Sequence, residues 1–89
     1  MTLERHEEEI LRRMYDEEVI AMNYKPVEAV RSKINWIQIA QEHRIKKKFS
    51  SIMERLEKKG YVDSHGKSGY VYSLSFQGVA YVTEKFGRG

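Results

Sequence analysis

The sequence predicts an α+β domain in which helices precede and follow a single β-hairpin. Apolar residues recur at helical spacing after residue 44, which indicates an amphipathic helix. After Gly60, two short runs rich in β-branched and aromatic residues flank a turn that contains two glycines, which is typical of a hairpin. With 89 residues the chain has room for one modest core, so we expect a single domain over residues 1–89.

The most clearly patterned helix is expected at about residues 46–59. Its apolar stripe consists of Ile45, Phe49, Ile52, Met53 and Leu56. Two lysines suit the negative end of a helix, and Gly60 suits the left-handed position just beyond it. The opposite side carries Lys47, Ser51, Glu54 and Lys58, flanked by Lys48, Ser50 and Arg55. Such a helix, with an apolar back and a basic start, has the shape to enter a DNA groove.

An N-terminal helix is expected over residues 1–22, capped by Thr2 and ended by Asn23. Its apolar stripe consists of Leu3, Ile10, Leu11, Met14 and Tyr15. Its first turns are rich in glutamate, which is favourable near the positive end of a helix. We expect this acidic helix to pack against the domain rather than to meet DNA.

Two short helices are expected next. The first begins at Pro26 and repeats apolar residues at Val27, Val30 and Ile34. The second is capped by Asn35, with Gln38 as the reciprocal capping partner, and ends near residues 42–43. Trp36 in this helix can be a contact to DNA or a ligand, but a place at the corner of the core is the favoured interpretation.

The hairpin is expected to pair residues 61–64 with residues 70–74, with Lys67 at its tip. Tyr70, Tyr72 and Leu74 alternate with Val71 and Ser73, so the returning strand should have two unlike faces. Ser75 can cap a C-terminal helix, residues 75–86. The stripe of that helix consists of Val79, Val82 and Phe86.

The charges of the chain are unevenly distributed. Residues 1–22 hold three arginines against seven acidic residues, a net charge of −4, whereas residues 43–60 hold seven lysines and arginines against two glutamates, a net charge of +5. The pattern indicates a surface that faces a polyanion and an opposite surface kept away from it. The alternative is that these charges only solvate exposed faces.

The sequence lacks the motifs that are typical of several classes of function. There is no cysteine, and the three histidines are scattered, so we expect neither a disulfide framework nor a metal site. No nucleophile–base grouping or glycine-rich phosphate loop is present, so we expect no enzyme activity, no cofactor and no small-molecule ligand. No apolar run is long enough for a signal peptide or membrane span, which predicts a cytoplasmic protein without membrane contact.

Three motifs resemble the winged helix-turn-helix domain of MarR- and PadR-like transcription regulators. Residues 39–45, Ile-Ala-Gln-Glu-His-Arg-Ile, are similar to the first helix of the helix-turn-helix, with His43 in place of a leucine and Arg44 in place of the turn glycine. Residues 56–62, Leu-Glu-Lys-Lys-Gly-Tyr-Val, are similar to the end of the recognition helix. Residues 72–78, Tyr-Ser-Leu-Ser-Phe-Gln-Gly, are similar to the strand that leaves the wing.

The resemblance covers about residues 35–86 and implies a three-helix core with a β-hairpin wing, in which residues 35–74 form the helix-turn-helix and wing. It implies sequence-specific binding of double-stranded DNA, with residues 46–59 in the major groove and the wing, residues 61–74, on the adjacent backbone or minor groove. A homodimer through the N- and C-terminal helices would present two recognition helices to half-sites about one DNA turn apart.

The residues themselves suit such contacts. Lysines and arginines can pair with phosphates, and short hydroxyl side chains let a helix come close to base edges. Glu54 can accept from a cytosine amino group, or it can pair with Lys58 at i+4, which is the slightly favoured alternative. The candidate DNA contacts are Arg44, Lys46, Lys47, Lys48, Ser50, Ser51, Glu54, Arg55, Lys58 and Lys67.

Two other functions compete with transcription regulation. The first is a winged-helix module for protein–protein interaction within a larger replication or transcription assembly, because the predicted wing is short and carries little charge. The second is RNA binding, for which Tyr70 and Tyr72 are partial candidates as a stacking platform.

Overall fold

Five helices and a three-stranded antiparallel sheet make up the fold, which confirms the α+β class. They are seen in a computed structural model that describes residues 3–66 and 71–87. The helices are α1 (Arg5–Asp16), α2 (Val27–Lys33), α3 (Trp36–His43), α4 (Phe49–Lys58) and α5 (Phe76–Phe86); the strands are β1 (Lys25–Pro26), β2 (Val62–His65) and β3 (Val71–Leu74).

The sheet has the order β1-β3-β2, with β3 in the middle. The predicted hairpin is confirmed for β2 and β3, which pair Val62 with Leu74 at the open end. Tyr70, expected in the returning strand, lies outside the described residues. The sequence did not indicate β1, whose Lys25 pairs with Tyr72 on the other side of β3.

Helix α1 ends at Asp16, so the prediction that the N-terminal helix continues to about Met22 is wrong. Glu18 takes a left-handed backbone conformation with φ 60°. The Glu18 and Val19 N–H groups donate to the carbonyls of Tyr15 and Met14, at 3.0 and 2.9 Å, which closes the helix in a Schellman motif. Val19 is then buried, and its carbonyl accepts from the N–H of Leu74 at 2.8 Å. The segment after α1 therefore pairs with the sheet instead of continuing the helix.

The start of α1 also differs from the prediction. Thr2 lies outside the described residues, and the cap position is occupied by Glu4, whose N–H donates to the Glu7 carboxylate at 2.9 Å. Asn23 does not end the helix, since it follows the left-handed turn. The predicted apolar stripe is confirmed, because Leu3, Ile10, Leu11 and Met14 are buried and Tyr15 packs against them.

The two short helices form as predicted, with different caps. Pro26 belongs to β1 and directly precedes α2. Asn35 stands before α3 in a left-handed conformation, and its side chain caps nothing, so the predicted reciprocal arrangement with Gln38 is wrong. The Asn35 amide instead donates to Gln38 Oε1 at 3.5 Å, and the same oxygen accepts from Arg13 Nη1 at 3.1 Å. Trp36 is a core residue, 5% exposed, and its ring lies 5.1 Å from that of Phe49, between centroids.

A second Schellman motif ends α3 at Arg44, whose φ is 54°. The Arg44 N–H donates to Gln41 O at 3.4 Å, and the Ile45 N–H donates to Ala40 O at 2.9 Å. Arg44 thus adopts the backbone that glycine ordinarily supplies, as its position in the sequence motif implied. This turn directs the chain away from α3 and toward α4.

Helix α4 begins at Phe49, so the expected start at about residue 46 is wrong. Lys48 is extended, and its carbonyl accepts the first hydrogen bonds of the helix. The predicted apolar stripe of α4 is confirmed: Phe49, Ile52, Met53 and Leu56 are buried, and Ile45 packs against them. Gly60 is left-handed, as predicted, with φ 88°.

Helix α5 begins as predicted. Ser75 Oγ accepts from the N–H of Gly78 at 3.0 Å and donates to Gly60 O at 2.6 Å. Val82 is fully buried, with Val79 and Phe86 packed against the core. Ser73, expected on a face unlike that of its neighbours, is as buried as Tyr72 and Leu74, and its hydroxyl lies 3.0 Å from His65 Nε2.

Candidate nucleic-acid interface

The outer face of α4 carries the predicted contact residues that belong to this helix. Ser51, Glu54, Arg55 and Lys58 are exposed, and Ser50 is half-buried at the start of the helix. The opposite face is fixed in the core, so the helix cannot turn these side chains inward without losing its packing. Lys67, the predicted contact at the hairpin tip, lies outside the described residues.

The remaining cations precede α4 instead of lying on it. Arg44, Lys46, Lys47 and Lys48 are all exposed in the connection between α3 and α4, which we call the cationic turn. The turn adjoins the N-terminal end of α4, where backbone N–H groups and the helix dipole already produce a positive potential. Concentrating lysines there is electrostatically unfavourable for the isolated chain, and a bound polyanion would relieve the repulsion.

Glu54 does not form an ion pair with Lys58. None of the ion pairs among the described residues joins these two side chains, so the slightly favoured i+4 interpretation of Glu54 is not realised. Glu57, the other carboxylate of α4, accepts a hydrogen bond from Ser64 of β2 and so connects the helix to the hairpin. The exposed face of α4 therefore offers both a free acceptor and free cations to a ligand.

The acidic residues of α1 are engaged within the chain. Glu7 is buried and accepts from Lys59 Nζ at 3.0 and 3.1 Å. Burial alone would raise the pKa of Glu7, but the hydrogen bonds from the Glu4 N–H and Lys59 lower it overall. These contacts pair the negative charge of Glu7 inside the fold with a cation at the end of α4.

The next two glutamates of α1 are engaged in the same way. Glu8 accepts from the Tyr81 hydroxyl and lies 3.5 Å from Lys85 Nζ. Burial and the Glu8 carboxylate raise the pKa of Tyr81 to about 12. Glu9 pairs with Arg12 and Arg13, and these hydrogen bonds lower the Glu9 pKa against the opposing effect of burial.

The separation of acidic and basic surfaces is only partial. Glu4 and His6, at the start of α1, line a cavity of about 290 Å³ together with Arg44, Lys46 and Lys47. Burial lowers the pKa of His6, and Lys47 acts in the same direction. The ring of His6 lies 6.5 Å from that of His43, between centroids. His43 is half-buried.

One further cation joins the surface. Arg31 of α2 borders a cavity of about 330 Å³ whose other lining residues include Lys47, Lys48 and Ser50. From the sequence, Arg31 and Lys33 of this short helix are expected to be able to add contacts to the DNA backbone. Only the packing of α2 beside the start of α4 reveals this proximity, and no local pattern signals it.

Of the two tyrosines expected to form a stacking platform for RNA, the one that the structure describes does not lie at the surface. Tyr72 is 2% exposed and belongs to the core, and Tyr70 lies outside the described residues. Tyr24 is instead stacked on His65, with 4.3 Å between ring centroids, and His65 Nε2 lies 3.0 Å from Ser73 Oγ. His65 ends β2 and contacts both Ser73 of β3 and Tyr24, which directly precedes β1.

Within residues 3–66 and 71–87, no three histidine, aspartate or glutamate side chains converge as metal ligands would. No helix in the same residues has the length and apolar character of a membrane span. Comparison of the chain with protein-family models, curated proteins and solved structures found no match.

Proposed function

We propose that this chain binds double-stranded DNA as a small winged-helix transcription regulator, with α4 in the major groove and the β2–β3 hairpin on the adjacent backbone or minor groove. The observation that carries the proposal is the division of α4 into a core face and a free polar face, preceded by the cationic turn. The element order α1-β1-α2-α3-α4-β2-β3-α5 is compatible with a winged helix-turn-helix in which α3 and α4 are the paired helices.

The dimensions of α4 support its insertion into the major groove of DNA. A ten-residue helix is about 15 Å long, and the major groove of B-DNA, about 12 Å wide, admits one helix. Ser51 and Glu54 are then the short and acceptor side chains nearest to base edges. Arg55, Lys58 and the cationic turn supply the phosphate contacts that position the helix.

The decisive experiment measures fluorescence anisotropy of a mixed-sequence duplex over a salt series. We expect binding that weakens steeply with salt, and a Lys47→Glu/Lys48→Glu variant that loses affinity and about two units of the log–log salt slope. Arg5→Glu/Lys85→Glu is the matched control, because it makes the same change in net charge on α1 and α5. Circular dichroism establishes that both variants are folded.

Two results would count against the proposal. If the wild-type chain fails to bind duplex DNA at low salt, the protein-interaction function replaces it. If the control variant loses as much affinity as the Lys47→Glu/Lys48→Glu variant, binding follows net charge and the cationic turn has no special role.

The proposal includes a homodimer formed through α1 and α5. The apolar stripes of these helices are largely buried within the chain, so the interface would use what they leave at the surface. Phe76, at the start of α5, is 92% exposed and is the best anchor among the described residues of the two helices. Sedimentation equilibrium tests this: we expect a dimer that Phe76→Glu dissociates, and a wild-type monomer at high concentration would exclude it.

A further inference from the structure

A large cavity lies beside α3, outside the face of α4. It has a volume of about 460 Å³. Its floor is formed by Trp36, Ile37, Ala40 and Ile45, and Ile37 is 55% exposed although it is a large aliphatic residue. An aliphatic side chain this exposed beside an apolar groove marks a surface that a partner can cover.

The rim of this groove is cationic. Arg31 borders it near the start of α3, and Arg44 and Lys46 border it at the end of that helix. The backbone between Trp36 and Arg44, which are eight residues apart, rises by about 12 Å along α3. Gln41 completes the lining, which contains no carboxylate. The groove therefore combines an apolar floor with positive charge at both ends.

We propose that this groove binds an acidic amphipathic helix of another protein. Its apolar stripe would cover Ile37, Ala40 and Ile45, and carboxylates about two helical turns apart would reach Arg31 at one end and Arg44 at the other. Helix-in-groove recognition uses such a stripe at i, i+3/i+4 and i+7. Complementary charge at the rim orients the partner and raises its association rate.

Charge complementarity favours this occupant over DNA. Duplex DNA has the required negative charge, but it presents few apolar groups to cover the floor, apart from thymine methyl groups. An acidic amphipathic helix supplies both the negative charge and the apolar groups. Because Arg44 and Lys46 also belong to the cationic turn, the bound helix would compete with DNA for them, although peptide binding itself does not depend on DNA binding.

The probe is a labelled synthetic 18-residue helical peptide with leucines on one face and glutamates on the other. One control peptide replaces every glutamate with lysine, and a second replaces every leucine with serine. Trp36 is the single tryptophan of the chain and forms part of the floor, so its fluorescence reports occupation of the groove. We expect the acidic leucine peptide alone to bind and to change the Trp36 emission.

Variants then locate the site. Ile37→Ser should weaken peptide binding about tenfold, since it removes one contacted aliphatic side chain. Arg31→Gln should weaken it and reduce its salt dependence. Phe76→Ser, which removes a larger apolar side chain elsewhere on the surface, should have no effect. Ile37→Ser should also leave duplex affinity unchanged, which separates this test from that of the proposed function.

Four outcomes would overturn the proposal. In the first, the lysine peptide binds as well as the glutamate peptide. In the second, Phe76→Ser weakens binding as much as Ile37→Ser. In the third, Lys47→Glu/Lys48→Glu abolishes peptide binding while Ile37→Ser does not, which would place the peptide on α4. In the fourth, Ile37→Ser dissociates a dimer of the chain, which would make a second copy the occupant.

Discussion

Lys59, at the end of α4, donates from Nζ to both carboxylate oxygens of Glu7 in α1, at 3.0 and 3.1 Å. The Glu7 side chain is 1% exposed and that of Lys59 is 10% exposed, so the pair is shielded from solvent. It joins the acidic helix to the basic one across 52 positions of sequence. Because a desolvated charge without its partner is costly, the pair makes the orientation of α4 depend on α1.

Removing one member of this pair should therefore destabilise the fold strongly. We expect Lys59→Met to lower the free energy of unfolding by about 3 kcal/mol, since it leaves the Glu7 carboxylate buried without its cation. Glu7→Leu/Lys59→Met should recover much of that loss. Urea denaturation measures both values. Lys85→Met is the control, because it breaks a more exposed ion pair with Glu8 and should cost at most about 1 kcal/mol.

Two substitutions of Arg44 separate the effect of its backbone strain from the effect of its charge. Its φ of 54° suits glycine better than arginine, so Arg44→Gly should raise the free energy of unfolding by about 0.5–1 kcal/mol. Arg44→Ala keeps the strained backbone and should give no such gain. If the cationic turn binds DNA, both variants should lose duplex affinity to the same extent. A destabilised Arg44→Gly variant would contradict the strain argument.

Acid should destabilise the protein in two steps. The pKa of folded His6 is lowered from 6.5 by burial, so the unfolded chain binds more protons than the folded one once the pH falls below about 6.5. The stability that neutral His6 contributes is present above that pH and is lost as the pH falls through the lowered pKa. Glu7 and Glu9, whose folded pKa values lie below 4.5, add a second loss at lower pH.

The pH dependence of the urea midpoint tests this assignment. Between pH 7 and pH 5 the wild-type midpoint should fall, and His6→Gln should remove most of the fall, although Glu4, Glu7, His43 and Lys47 also act on this ring. The step below pH 4.5 should persist in that variant. An unchanged profile between pH 7 and pH 5 would show that His6 does not control the first step.

Gly78 lies where α5 approaches the chain that leaves α4. A Cβ atom added there would lie 2.1 Å from the carbonyl oxygen of Tyr61, so the backbone would have to move. We expect Gly78→Ala to lower the free energy of unfolding by about 2 kcal/mol, although the same change in an open helix position is stabilising. Thermal unfolding measures it, with Glu84→Ala at an exposed position of α5 as the control. A gain in stability would disprove the close approach.

The parts of the fold that local patterns determine could be predicted from the sequence. Helical spacing identified the buried residues of α4, and the Ser75 cap and the left-handed Gly60 follow from local chemistry. The missed features depend on distant partners. Glu18 ends α1 in a conformation typical of glycine because Val19 then pairs with β3. Strand β1 has two residues, too few for a pattern, and exists because β3 offers an edge.

The sequence indicated which residues belong to the candidate site better than it indicated where on the fold they lie. The lysines at positions 46–48 were assigned to the helix because spacing alone does not indicate where a helix begins, whereas the extended Lys48 sets that limit. Arg31 reaches the same surface through the packing of α2, which the sequence does not encode locally. DNA binding by this surface stays a prediction, and so does peptide binding by the groove beside α3.

The division of α4 into two faces has a consequence for how this domain can diversify. The residues that secure the helix, Phe49, Ile52, Met53 and Leu56, are distinct from those that it displays at the surface. Substitutions at Ser51, Glu54, Arg55 and Lys58 can therefore alter what is recognised without changing how the chain folds. A library randomised at these four positions should retain a folded scaffold in most members, so that new specificities can be selected on an unchanged frame.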